Sequence, residues 1–175
     1  GERLCPFAPP LRAEPWKLRI VASRAAGPDD VVAEVAEEAA RLLRGLNPEA
    51  GDKPDDFPET TLVVLDERWG FVAEWRDLVR FSWRLQSEAI LERGFAADLQ
   101  LVLFHPRAVH SAYAEGPPDA ADFSIRAPHP IVHLLREADV LRAVRSYEGA
   151  DQIPSRNKAR LRARGLEVCQ ARLAG

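Results

Sequence analysis

The chain has 175 residues, 46% of them hydrophobic and 29% charged, and a formal net charge of −3. That length suits one folded unit with a sizeable core. The mild acidity gives no electrostatic footprint for nucleic acid, and no apolar run approaches the roughly 20 residues that span a bilayer.

Residues 1–16 carry Pro6, Pro9, Pro10 and Pro15 and read as an irregular lead-in. Lys17 to Ser23 has the look of a buried strand. Gly27-Pro28-Asp29 then turns the chain into a helix on which Val31, Val32, Val35, Ala39, Leu42, Leu43 and Leu46 recur at helical spacing. After a polar loop from Asn47 to Pro58, the β-branched run Thr60 to Asp66 predicts a second strand. Phe71, Trp75, Leu78, Ser82, Leu85 and Ala89 share the stripe of a long amphipathic helix that Gly94 ends. Leu99 to Phe104 predicts a third strand, closed by His105-Pro106, and residues 107–128 form a loop near the expected site. Pro130 then starts a helix with Ile131, Leu134, Leu135, Ala138 and Leu141 on its apolar stripe, running to about Tyr147. A last, arginine-rich helix begins near Pro154. The fold expected is α/β over residues 1–175 as a single domain: a small, mostly parallel sheet of at least three strands, packed with helices, plus two C-terminal helices.

The chain opens at Gly1 and contains no methionine, as expected of a chain trimmed at its N-terminus. Its two cysteines, Cys5 and Cys169, lie near opposite ends. A disulfide-stapled secreted fold would carry more of them, so reduced thiols and a cytoplasmic location are expected, with an end-to-end bridge as the alternative. No CxxC, phosphate-binding glycine loop, GxSxG or HExxH motif is present.

All four histidines fall between positions 105 and 133, and histidine is the side chain best suited to bind metals or move protons near neutral pH. His105, at a strand end before a proline, is read either as a ligand or acid–base group, or as a cap on a backbone carbonyl. On the predicted helix His133 and Glu137 are i, i+4 neighbours, able to share a metal, to orient one another or simply to pair at the surface. Pro130 holds His129 outside that helix, and His110 belongs to the loop. Arg126 can meet an anion near the helix start or pair with Asp119 or Asp122. The basic run from Arg156 to Arg164 reads as a solvated helix face.

Four segments stand in order: Leu4-Cys5-Pro6-Phe7-Ala8, Phe104-His105-Pro106, Arg126-Ala127-Pro128-His129-Pro130 with His133-Leu134-Leu135-Arg136-Glu137, and Ile153-Pro154-Ser155-Arg156-Asn157. With these the chain resembles an uncharacterised bacterial family, domain of unknown function 1415, over about residues 4 to 161. The family typically reads Asn-Arg-Ser-Pro-Tyr-Pro where this chain has Ile125 to Pro130. Ala127 and His129 therefore depart from it, which shifts weight from His129 to His105 and His133. Members usually carry a helix ahead of the Cys-Pro-Phe-Ala segment that is absent here. The resemblance implies Cys5, His105, Arg126, His133, Arg136, Arg156 and Asn157 as motif positions and implies no activity.

The leading expectation is an oxygenase-like redox enzyme acting on a small anionic metabolite. Its iron would be held by His105, His133 and Glu137, a ligand set typical of redox iron, or a haem would sit on one histidine between Phe104 and Phe123. Cys5, His105 and His133 would be catalytic, and Arg126, Arg136 and Arg156 would bind substrate. Two alternatives stand beside it: a metal-free acid–base or thiol enzyme on a carboxylate or phosphate compound, and a non-catalytic binding module. A small molecule, and neither nucleic acid nor a membrane, is the expected partner.

Overall fold

A computed structural model describes residues 14–47, 57–110 and 117–174. A short 3-10 turn, Pro15–Lys17, leads into strand β1, Leu18–Ala22. Helix α1, Pro28–Arg44, starts with proline in its first turn, followed by Asp29 and Asp30, and ends on Arg41 and Arg44. That charge order complements the helix dipole at both ends. Strand β2, Thr60–Val64, lies parallel to β1 in the register Leu18 opposite Thr60 and Ala22 opposite Val64. The three elements make a β-α-β crossover of the kind parallel neighbours require.

Helix α2, Trp75–Arg84, runs on as a π-helical segment, Leu85–Leu91. Its wider turn, closed by Glu92 N–H on the Ser87 carbonyl at 2.9 Å, buries Leu85, Ala89 and Ile90, and the segment packs against α1. Strand β3, Leu99–Phe104, follows.

The element the sequence misplaces comes next. Ile131–Arg136, read above as helix, is strand β4, and helix α3 begins only at Glu137 and ends at Ser146. Val132, Leu134 and Arg136 are buried, and Ile131, His133 and Leu135 face the other way, the period of two that defines a strand. The pairing explains it. β4 lies between β2 and β3 and is antiparallel to both, giving the order β1-β2-β4-β3. Two ladders of backbone hydrogen bonds override a helical reading of six residues.

The architecture is therefore mixed α/β, as expected in class, with five helices among the described residues, two of them C-terminal. The sheet is not mostly parallel, since one pair is parallel and two are antiparallel. β1, β2 and β3 do run in one direction, and the antiparallel strand inserted among them is the correction.

One apolar cluster joins α1, α2 and its π extension to the sheet through Val31, Val35, Leu42, Val63, Leu78, Leu85, Val132 and Leu134. Helices α4, Ile153–Arg164, and α5, Leu166–Ala174, belong to a separate small cluster. There Leu161 and Cys169 pack with Ala120 and Phe123 of the 3-10 turn Ala120–Ser124. Gly165, at φ +89°, separates the two helices in a conformation that favours glycine. No helix among the described residues is long and apolar enough to cross a membrane.

Candidate functional site

The predicted donors do not converge, and strand parity is the reason. His105 follows Phe104 and turns to the helix-covered face. There its Nε2–H donates to the Val72 carbonyl at 3.1 Å, and its Nδ1 accepts from the Arg107 backbone N–H at 3.0 Å. Only 1% of the residue is exposed, and burial pulls its pKa below the usual histidine value. Both ring nitrogens are engaged in closing the His105-Pro106 turn. The carbonyl-capping reading is the one the geometry matches.

His133 lies on the opposite face of the sheet, beside Val102 of β3 and Leu62 of β2. The Thr60 hydroxyl donates to the Leu134 carbonyl at 2.9 Å, so Thr60 Oγ1 accepts from His133 Nε2–H at 2.6 Å. The Phe104 ring lies 6.0 Å away. Burial pushes the imidazole pKa down to about 4, so the ring is neutral at pH 7.

Glu137 is no longer a neighbour of His133 once residues 133–136 are extended, because four strand steps cover about 13 Å. Its Oε2 instead accepts from Gln100 Nε2 at 2.6 Å. Among the described residues no three His, Cys, Asp or Glu side chains could hold one metal ion. The donor set His105, His133 and Glu137 does not fit iron, and no redox step can be derived through it. A haem on either histidine would first have to break the hydrogen bonds just given.

The predicted substrate-binding arginines also separate. Arg136 is buried at the far end of β4 and pairs with Asp139 at 2.5 Å. Arg156 donates to the Tyr147 hydroxyl at 3.2 Å and lies over that ring. His129 is exposed, and His110 sits in the loop with its Nε2 2.9 Å from Ser124 Oγ. Cys5 lies outside the described residues. Cys169 is a free, buried thiol.

Arg126, among the predicted anion-binding residues, borders a cavity. Its Nε donates to the Ala108 carbonyl at 2.9 Å, its terminal nitrogen stands 3.8 Å from Asp122, and its guanidinium lies 4.6 Å from the Phe123 ring centre. These contacts fix the plane of the guanidinium. The cavity, about 150 Å³, is lined by Phe123, Arg126, Leu161, Arg164, Cys169, Arg172 and Leu173. Arg162 ties its two walls together by a 2.6 Å ion pair to Asp119, the cap of the 3-10 turn. That guanidinium holds the Asp119 carboxyl down at about 2.

Arg164, Arg172, Leu161 and Leu173 are the cleft residues that sequence reasoning assigned to no site, and Phe123 was expected only beside a haem. The available signal was the basic run into Gly165, which reads as a solvated face unless one knows that α5 folds back beside α4.

A family model described as protein of unknown function, DUF1415, matches residues 1–171. No curated protein and no solved structure matches the chain.

Proposed function

The chain belongs to the DUF1415 family of proteins of unknown function, and on that premise we propose that it binds a small anionic metabolite in the cleft between Arg126 and the C-terminal helices. One observation carries the reading: among the described residues, Arg126 and the exposed Arg172 line the cleft together with Phe123, Leu161 and Leu173. Guanidinium groups recognise carboxylates and phosphates through paired, charge-assisted hydrogen bonds. Few precisely placed cations over apolar walls are the usual make-up of a small-molecule site. This is the binding-module class, in which the metabolite is held by Arg126 and its new partners while His105 and His133 stabilise the fold.

Titration of the full chain with inorganic phosphate and with benzoate, followed by amide chemical shifts, tests the reading. The expected result is saturable binding of at least one of them, weakened about tenfold by Arg172→Ala, as for loss of a charge-assisted hydrogen bond. Arg172 is exposed, so the variant keeps its fold. Absence of binding by either anion, or binding indifferent to Arg172→Ala, overturns the proposal.

A further inference from the structure

We infer that the β1 edge of the sheet pairs antiparallel with the β1 edge of a second copy of this chain, joining two four-stranded sheets into one. The backbone decides which groups are on offer there. Ser23 N–H donates to the Val64 carbonyl at 2.9 Å, so Ser23 turns its peptide groups toward β2. In an extended chain this direction alternates from residue to residue. Val21 and Arg19 therefore also turn to β2, while Leu18, Ile20 and Ala22 turn outward. The Leu18 N–H is bound by the Pro15 carbonyl. The Leu18 carbonyl and the N–H and carbonyl groups of Ile20 and Ala22 face no strand among the described residues.

Folded chains blunt such edges with proline, lysine or charge, because open peptide groups recruit other strands. β1, Leu-Arg-Ile-Val-Ala, has neither proline nor lysine. Its one charge, Arg19, is matched by Glu38 through hydrogen bonds of 2.8 and 3.0 Å. Ile20 is 62% exposed, and Ala22 is exposed beside it. At the other edge of the sheet no residue of β3 is exposed. The two edges thus differ, and β1 is the one built to be covered.

The strand is complementary to itself. With a two-fold axis at Ile20, the two copies of Ile20 exchange both backbone hydrogen bonds. Each Ala22 N–H then meets the Leu18 carbonyl of the other copy. Ile20 packs on Ile20 across the axis, a favourable cross-strand pair, and Arg19 falls opposite Val21, so no like charges oppose each other. The pair is closed, since each copy uses its β1 edge and none remains to extend a fibre. A five-residue edge makes a contact of the weak, reversible class.

Sedimentation velocity of the full chain from about 10 μM to about 1 mM, a range that spans weak association, tests the proposal. A reversible monomer–dimer equilibrium is expected, and a monomer throughout overturns it. Ile20→Lys places like charges opposite each other at the axis and is expected to raise the dimer Kd at least about tenfold. Ile20→Pro removes an outward N–H without touching the β1–β2 ladder, as an edge strand tolerates, and is expected to do the same. Ile20→Val keeps the β-branched contact and is expected to preserve the dimer. Dimerisation indifferent to both Ile20→Lys and Ile20→Pro overturns edge pairing. Amide hydrogen exchange gives the second readout: Ile20 and Ala22 are expected to slow as concentration rises, while Val21, which faces β2, stays constant. A dimer in which Ile20 exchange does not change with concentration also overturns the proposal.

Discussion

The helix-covered sheet and the C-terminal helix pair both contain charged and titratable groups, and they deal with them differently. Under the sheet, Glu38 is nearly buried and receives both Nε and a terminal nitrogen of Arg19 at 2.8 and 3.0 Å. Arg136 has Asp139, and both ring nitrogens of His105 have backbone partners. Each of these groups is matched from within the chain, as burial favours, while Thr61 Oγ1 and Trp75 Nε1 have no hydrogen-bond partner among the described residues. Beside α4 and α5 the cleft instead sets arginine side chains among Phe123, Leu161 and Leu173. A residue type associated with catalysis can thus be held in structural contacts, as His105 and His133 are, while surface-type arginines line a cleft.

The largest test of that contrast is a pair of core truncations. Leu134→Ala, in a fully buried position of β4, is expected to cost about 3 kcal/mol in urea unfolding, within the usual range for leucine truncation. Leu161→Ala, in the small cluster beside the cleft, is expected to cost clearly less, because fewer buried neighbours surround it. Equal losses would mean that the two regions are one cooperative core. Next, His105→Leu should cost about 2 kcal/mol by leaving the Val72 carbonyl and the Arg107 N–H unpaired in a buried turn. It should leave anion affinity unchanged, and a loss of affinity would move His105 into the site.

The third test uses pH. His133 titrates at about 4 in the folded chain, against about 6.5 when unfolded. Between those values the unfolded chain binds the extra proton, so stability is full above about pH 6.5 and falls as pH drops toward 4. At pH 5 the loss from His133 is about 2 kcal/mol relative to pH 7.5. His105, also depressed by burial, acts in the same direction. Urea midpoints at the two pH values, with and without His133→Gln, measure it, and a flat profile would show His133 to be solvated.

Much of the fold was legible in local pattern. The apolar period of Val31, Val35, Ala39 and Leu42 and the β-branched run at Thr60 each dictate one element without help from distant residues. Ile131–Arg136 was not legible, because its apolar residues fit a helical stripe as well as an alternating strand. What selects the strand is a pair of neighbours far off in sequence, β2 and β3. The histidine site failed with it: placing His133 on a strand in place of a helix moves it away from Glu137 and onto the face opposite His105. Arg126 was recognisable from its place before the proline-bounded turn. Its partners Arg164 and Arg172 were not, since they meet it only through tertiary packing.

The position of β4 also bears on how the chain is made. The last strand of the described sheet sits inside it: β2 ends at Val64 and β3 at Phe104, both before β4 begins at Ile131. Until Arg136 has left the ribosome, β2 and β3 have no shared partner, and each offers an open edge. Closure of the sheet therefore waits on long-range pairing, of the kind that slows folding.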